Sequence, residues 1–174
     1  MTAASITPSQ TVGPFFGVGL PFERGEQVVA PDTPGAIRIE GQVLDGNGDP
    51  VTDGLVEIWQ ADEHGCYQSR GFGRCRTDGE GAFSFITVKP GAVKTPDGKL
   101  QAPHLNVTVF ARGLLRHLVT RMYFPDETAA NAADPVLSLV EPERRPSVMA
   151  RADGKVLHFN IRLQGDNETV FFAI

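Results

Sequence analysis

The stretch QAPHLNVTVFARG, residues 101–113, alternates between apolar and mostly polar residues. Its odd positions from 105 to 111 are apolar, and this period of two predicts a single β-strand over the stretch. His104, Asn106 and Arg112 then share one face of the strand. At about 3.3 Å per residue, His104 and Arg112 lie roughly 26 Å apart on an unbroken strand, so no single small pocket uses both.

The same alternation recurs along the chain and predicts an all-β fold. Glycine-rich turns separate the alternating segments, as at Asp78-Gly79-Glu80-Gly81 and at Asp153-Gly154, a strong hairpin signal. Many short strands joined by such turns indicate an antiparallel β-sandwich or barrel. The predicted strands cover residues 36–45, 54–62, 73–77, 82–88, 101–113, 116–124, 147–152, 155–163 and 168–174.

Two segments depart from the strand pattern. Residues 126–134, DETAANAAD, are rich in alanine with acidic residues at the start, which predicts one short helix. Residues 1–35 contain little alternation and several prolines and glycines, which predicts an extended N-terminal arm. The expected organisation is therefore an arm over residues 1–35 followed by a β-sandwich domain over residues 36–174.

Composition excludes several classes of function. A chain of 174 residues with a formal charge of −5 lacks the clustered lysine and arginine of a nucleic-acid-binding protein. It contains no apolar run long enough for a membrane span, and its first residues do not resemble a secretory signal. We therefore expect a cytoplasmic protein without nucleic-acid or membrane partners. Cys66 and Cys75 are expected to stay reduced there, although a bridge between them is sterically conceivable.

Few residues suggest chemistry from their pattern alone. A single histidine such as His104, or a tyrosine such as Tyr67, is usually a surface residue or a hydrogen-bonded structural one. Arg112 is either a solvated strand end or a clamp for an anion, because guanidinium binds carboxylates in a fork geometry. The segment TPSQTVGPFF, residues 7–16, is either an ordered strap or a backbone fixed by its Gly-Pro pair that exposes a hydroxyl beside it.

Several motifs together carry a family resemblance that spans nearly the whole chain. They are TPSQTVGPFFGVGL, GLVEIWQAD, TVKPG, APHLNVTVFARG, LVTRMYFPDE and ETVFFAI. With them the sequence resembles the intradiol ring-cleaving dioxygenases, and within these the α type of chain found in the two-chain, αβ members. The resemblance implies a β-sandwich and participation in the cleavage of a dihydroxylated aromatic ring by O2.

The family's iron ligands are only partly matched. The family binds ferric iron with two tyrosines and two histidines; Tyr67 matches the first tyrosine and His104 the first histidine. Asn106 stands at the second histidine position, and residues 89–103 contain no second tyrosine. The resemblance therefore implies that this chain alone holds no metal and no catalytic residue. Fe(III) is expected on a partner β subunit of a hetero-oligomer.

The resemblance also implies a role for residues far from that incomplete ligand set. In the αβ members, the α arm and the arginine of the VFARG motif border the iron pocket of the β chain. Carried over, these substrate-binding residues are Thr11, Gly13, Pro14 and Arg112, facing a small aromatic substrate. The phenylalanines of the arm, Phe15, Phe16 and Phe22, are then expected to pack against the partner.

Three other interpretations stay open on the sequence. The chain could be a purely structural partner subunit that never touches substrate, or a homo-oligomeric intradiol catechol dioxygenase with its own iron. The third is a non-enzymatic β-sandwich used for binding or adhesion, which leaves the arm motif and the arginine at the strand end without a role.

Overall fold

A computed structural model describes residues 13, 15–67 and 70–173 of the chain. Within these residues the strands form two main sheets and one small hairpin. The strands are β1 Ala36–Leu44, β2 Leu55–Trp59, β3 Phe72–Arg76, β4 Ala82–Val88, β5 Val93–Lys94, β6 Leu100–Gln101, β7 His104–Phe110, β8 Leu118–Tyr123, β9 Arg151–Asp153, β10 Val156–His158 and β11 Ile161–Arg162. One sheet has the order β11-β1-β10-β9, with β4 on the other edge of β1. The second sheet has the order β3-β2-β7-β8, and β5 pairs with β6.

The core lies between the two main sheets, which confirms the predicted β-sandwich. The longer strands contribute the apolar half of their alternation, such as Ile39 and Val43 from β1 and Leu105, Val107 and Val109 from β7. All five side chains are buried in one cluster. Burial of one such side chain is worth about 1.5–3 kcal/mol, so these inward-facing residues hold the two sheets together.

The first strand has parallel neighbours, although the other named strands pair in antiparallel fashion. β1 pairs in parallel with β10 and with β11 along one edge, and antiparallel with β4 along the other. The predicted strand over residues 155–163 is thereby divided in two. A Cβ at Gly41 would lie 1.9 Å from the carbonyl oxygen of Phe159, so only glycine permits this approach. The side chain of Asn160 then accepts the Gln42 N–H at 3.1 Å in place of a backbone carbonyl.

Other strand boundaries differ from the prediction. The strand predicted over residues 101–113 is confirmed only as β7, since Gln101 belongs to the small hairpin. Residues 147–152 begin in a 3-10 turn, Arg145–Val148, and only the end of the segment enters β9. The strand predicted over residues 168–174 is wrong for the described residues 168–173, which run beside β8 without a regular ladder. Two backbone bonds tie this segment to the sheets, from Phe172 N–H to the Val119 carbonyl at 2.8 Å and from Thr169 N–H to the Arg162 carbonyl at 3.0 Å.

The predicted helix is confirmed with tighter bounds, as Thr128–Ala133. A four-residue helix, Phe16–Gly19, and a second 3-10 turn, Leu137–Leu139, were not predicted. We call the helices α1 (Phe16–Gly19) and α2 (Thr128–Ala133).

The described part of the arm lies against the sandwich. The Gly25 carbonyl accepts the Arg74 N–H at 2.7 Å, and the Glu26 carbonyl accepts the Ile86 N–H at 2.9 Å. Phe16 is only 5% exposed in its own chain, so the expectation that it packs on a partner was wrong, whereas Phe15 is exposed. The division of the chain after residue 35 stays a prediction.

Candidate functional site

Three polar side chains meet at one end of the second sheet. His104 begins β7, Asn106 follows on the same face, and Tyr67 reaches them from the loop after β2. The Tyr67 hydroxyl lies 3.3 Å from His104 Nε2, and Asn106 Nδ2 donates to the same hydroxyl at 2.8 Å. The structure therefore brings together the residues that match the family's metal-ligand positions.

The hydrogen bonds fix where the protons are. His104 Nδ1 lies 2.7 Å from the Ala102 carbonyl oxygen, which can only accept, so Nδ1 carries the proton. His104 Nε2 is then an acceptor, and the Tyr67 hydroxyl donates to it. Asn106 also donates to the Trp59 carbonyl oxygen at 3.3 Å. Each of the three side chains is thus engaged within the group itself.

Burial and charge keep His104 neutral. The side chain is 1% exposed, and the pKa of His104 is lowered to about 4, first by burial and then by repulsion from Arg121. The Ala102 carbonyl and Asp134 oppose this lowering. The neighbouring Tyr123 ring packs 5.9 Å from the His104 ring, and burial raises the pKa of Tyr123 to about 12. Tyr123 donates to Asp134 at 3.1 Å.

This group does not fit the ferric ion of the intradiol family. Tyr67 and His104 supply two of the four donors, and Asn106 points its N–H donors, not its oxygen, at the Tyr67 hydroxyl. The positive charge of Arg121, which lowers the pKa of His104, also opposes a trivalent cation. In the part of the chain that the structure describes, no group of three or more His, Cys, Asp and Glu side chains could hold a metal ion.

An aromatic wall flanks the group, and sequence reasoning did not assign it to the site. The Trp59 ring stacks on Tyr67 with centroids 5.9 Å apart, and the Phe72 ring lies 6.5 Å from Trp59. Trp59 pairs with Asn106 across β2 and β7 and with Phe72 across β2 and β3. The alternation of GLVEIWQAD places Trp59 on the outer face, but only the strand pairing shows which residues it meets.

Arg112 lies apart from this group, as the strand spacing predicted. It follows the last residue of β7 by two positions, whereas His104 is the first residue of that strand. Its guanidinium forms an ion pair with Asp53 from the turn before β2. Both residues border a cleft of about 460 Å³ between that turn and residues 111–113. Asp53 was not identified from the sequence, because nothing in the pattern of the turn marks it.

The other predicted substrate-binding residues belong to the arm. Thr11 and Pro14 lie outside the described residues. Gly13 is described and has a φ of 77°, a conformation that favours glycine. The role of all four predicted residues, Thr11, Gly13, Pro14 and Arg112, stays a prediction.

The structure bears on two features that relate to the cellular setting, membrane-spanning helices and the state of the cysteines. Among the residues that the structure describes, none of the helices has the length and apolar character needed to cross a membrane. Cys66 is exposed and Cys75 half-buried, and both are free thiols.

The fold and the partly matched ligand positions agree with a family assignment. A family model described as "Dioxygenase" matches residues 11–165, and the chain belongs to this dioxygenase family. The family resemblance predicted from the motifs is thereby confirmed.

Individual relatives place the chain within the family. It is 44% identical to the protocatechuate 3,4-dioxygenase alpha chain of Pseudomonas putida over 191 aligned positions, covering 95% of each chain. It is 33% identical to the protocatechuate 3,4-dioxygenase beta chain of Burkholderia cepacia, covering 76% of this chain and 66% of that one. The solved dioxygenase domain from Streptomyces sp. SirexAA-E superposes with a TM-score of 0.61 at 24% identity, covering 95% of this chain and 96% of that one. This last similarity shows the fold alone.

Proposed function

We propose that this chain is the α subunit of a protocatechuate 3,4-dioxygenase, working together with an iron-bearing β subunit. The observation that carries the proposal is the 44% identity to an alpha chain of that enzyme over 95% of both chains. The complex opens the ring of 3,4-dihydroxybenzoate between its two hydroxyl-bearing carbons with O2, and the product is 3-carboxy-cis,cis-muconate. This places the complex in the β-ketoadipate route of aromatic catabolism.

The incomplete donor set supports assigning the metal to the β subunit. Enzymes of this family generally use Fe(III). Here Asn106 occupies a ligand position with an amide that donates to Tyr67, and Arg121 adds positive charge next to His104. We therefore propose that Fe(III) lies on the partner and that Tyr67, His104 and Asn106 serve as a hydrogen-bonded structural unit in this chain.

The contribution of this chain is to bind and confine the substrate. Protocatechuate carries a carboxylate on the side of the ring away from its two hydroxyls. The side chain of Arg112 is 72% exposed in the single chain, although its guanidinium is paired with Asp53, and so it can face a pocket on the partner. In this proposal the Thr11 hydroxyl and the backbone at Gly13 and Pro14 shape the wall of the same pocket.

Cytoplasmic location belongs to the same proposal. It is supported by Cys66 and Cys75, which stay unpaired thiols. Thiols are the usual state of cysteine in a reducing compartment.

The proposal is tested by co-expressing the chain with its partner and measuring iron and oxygen uptake. Arg112→Ala is expected to lower kcat/KM for protocatechuate about 10- to 150-fold, because a hydrogen bond to a charged group contributes about 1.5–3 kcal/mol. Turnover of catechol, which lacks the carboxylate, should change little. Arg151→Ala, which removes an arginine from the exposed strand β9, is the matched control.

Two results would contradict the proposal. Unchanged kinetics for protocatechuate in the Arg112→Ala complex would leave a purely structural subunit as the better description. Stoichiometric iron together with ring cleavage by this chain alone would instead favour a self-sufficient, homo-oligomeric enzyme.

A further inference from the structure

The ion pair at the end of β7 is asymmetric. Arg112 uses its Nε to contact Asp53 Oδ2, and the arginine side chain is 72% exposed while the aspartate is 30% exposed. A guanidinium carries five N–H donors in a planar fork, and Nε supplies only one of them. One carboxylate cannot engage all five donors, so a guanidinium paired with Asp53 keeps N–H groups for a second carboxylate.

Asp53 is attached to a rigid part of the molecule. The turn that carries it is anchored by Thr77, which is buried. Thr77 Oγ1 accepts the Gly54 N–H at 2.8 Å and lies 2.8 Å from the Val51 carbonyl oxygen, to which it donates. These bonds fix the backbone on both sides of Asp53. Arg112, by contrast, follows the end of β7 and precedes Gly113, which has a φ of 83°.

The same turn contacts the arm. A Cβ placed on Gly17, in α1, would lie 3.9 Å from the Asp53 carbonyl oxygen. Asp53 thus neighbours both Arg112 and α1 of the arm. The antiparallel pairing of Leu55 with Phe110 brings the turn and the strand end to this common edge.

We propose that Asp53 is a positioning residue for Arg112. It pairs with the guanidinium from a rigid turn, so that the remaining N–H groups are presented to the carboxylate of the aromatic substrate in the partner's pocket. This inference rests on the proposed function. Without Asp53, an exposed arginine samples many rotamers and must be ordered each time substrate binds, a cost that weakens binding.

The Asp53 carboxylate has two opposing effects on substrate binding: its charge weakens the attraction of Arg112 for an anion, and its contact orders the Arg112 side chain. The negative charge of Asp53 reduces the attraction of Arg112 for an anion, but such charge effects are small for exposed pairs. Ordering a long side chain is the larger contribution, so removing Asp53 is expected to weaken binding. Asp53→Asn separates the two effects, since it removes the charge and keeps a hydrogen-bond acceptor.

The experiment uses the complex of this chain with its β partner and compares protocatechuate with catechol. Asp53→Ala is expected to raise KM for protocatechuate about 2- to 10-fold with little change in kcat, and to leave catechol unaffected. Asp53→Asn and Asp53→Glu should retain most of the affinity. Asp49→Ala, which removes an exposed aspartate four positions earlier, is the matched control.

Combination with Arg112→Ala separates this inference from the function on which it rests. If Asp53 acts through Arg112, the double variant should be no worse than Arg112→Ala alone. A KM for protocatechuate that is unchanged or lowered in Asp53→Ala, while Arg112→Ala raises it, would overturn the inference and leave the proposed function intact. Wild-type kinetics in Arg112→Ala would overturn both. If Asp53→Ala does not fold, Asp53→Asn is measured in its place. A KM for protocatechuate as high in Asp53→Asn as in Arg112→Ala would then contradict the orienting role.

Discussion

Protonation of His104 should control the stability of the protein in mild acid. The pKa of His104 is lowered from 6.5 to about 4 in the folded chain. Between these values the unfolded chain binds a proton at this position and the folded chain does not. The free energy of unfolding therefore falls as the pH is lowered from about 6.5 to 4. At 1.36 kcal/mol per pKa unit, the loss from this one side chain amounts to about 3 kcal/mol.

The comparison that isolates this effect is between the wild type and His104→Gln. Glutamine can still donate and accept hydrogen bonds beside Ala102 and Tyr67, but it does not titrate. Urea unfolding followed by the fluorescence of Trp59, the single tryptophan, gives the free energy of unfolding at each pH. Carboxylates that titrate in the same range contribute equally to both proteins and cancel in the difference.

We expect the free energy of unfolding of the wild type to fall by about 3 kcal/mol relative to that of His104→Gln as the pH is lowered from 7 to 4. A difference that is independent of pH would refute the reasoning. So would a nuclear magnetic resonance titration in which His104 of the folded protein protonates near its ordinary pKa.

Two further predictions follow from local packing. Gly41→Ala should lower the free energy of unfolding, measured in thermal or urea melts, by at least about 3 kcal/mol, because the new methyl group meets the Phe159 carbonyl. Gly79→Ala is the control: a Cβ there has no neighbour within 4 Å, so the free energy of unfolding should hardly change. A disulfide reagent at pH 8 should modify Cys66 quickly and Cys75 slowly, since burial raises the pKa of the Cys75 thiol; equal rates, or a fast phase that survives Cys66→Ser, would contradict this.

Alternation predicted the sandwich because each strand buries one face. Leu105, Val107 and Val109 are inward in β7, as their spacing required. The same pattern could not locate the interruption near Phe159, since apolar residues continue to alternate on both sides of it. That interruption depends on Gly41, which lies far away in the sequence and becomes a neighbour only in the folded sheet.

The candidate site was predictable to the extent that it lies on one strand. His104 and Asn106 share a face of β7, and the family resemblance added Tyr67. The contact between Arg112 and Asp53 was not predictable, because it requires knowing that β2 is antiparallel to β7 in a particular register. Trp59 was missed for the same reason. Pairing between strands, which single-sequence patterns do not encode, decided both cases.

The neighbours of β1 have a consequence for synthesis on the ribosome. One edge of this strand is completed by residues near the other end of the chain, and Gln42 bonds to Asn160 across 118 positions. At a translation rate of about 5–20 residues per second, β1 therefore emerges roughly 6 to 24 s before its parallel neighbours exist. During that interval the nascent polypeptide presents an open edge of backbone donors and acceptors. Protection by a chaperone should matter most during this interval, which ends only when β10 and β11 have been synthesised.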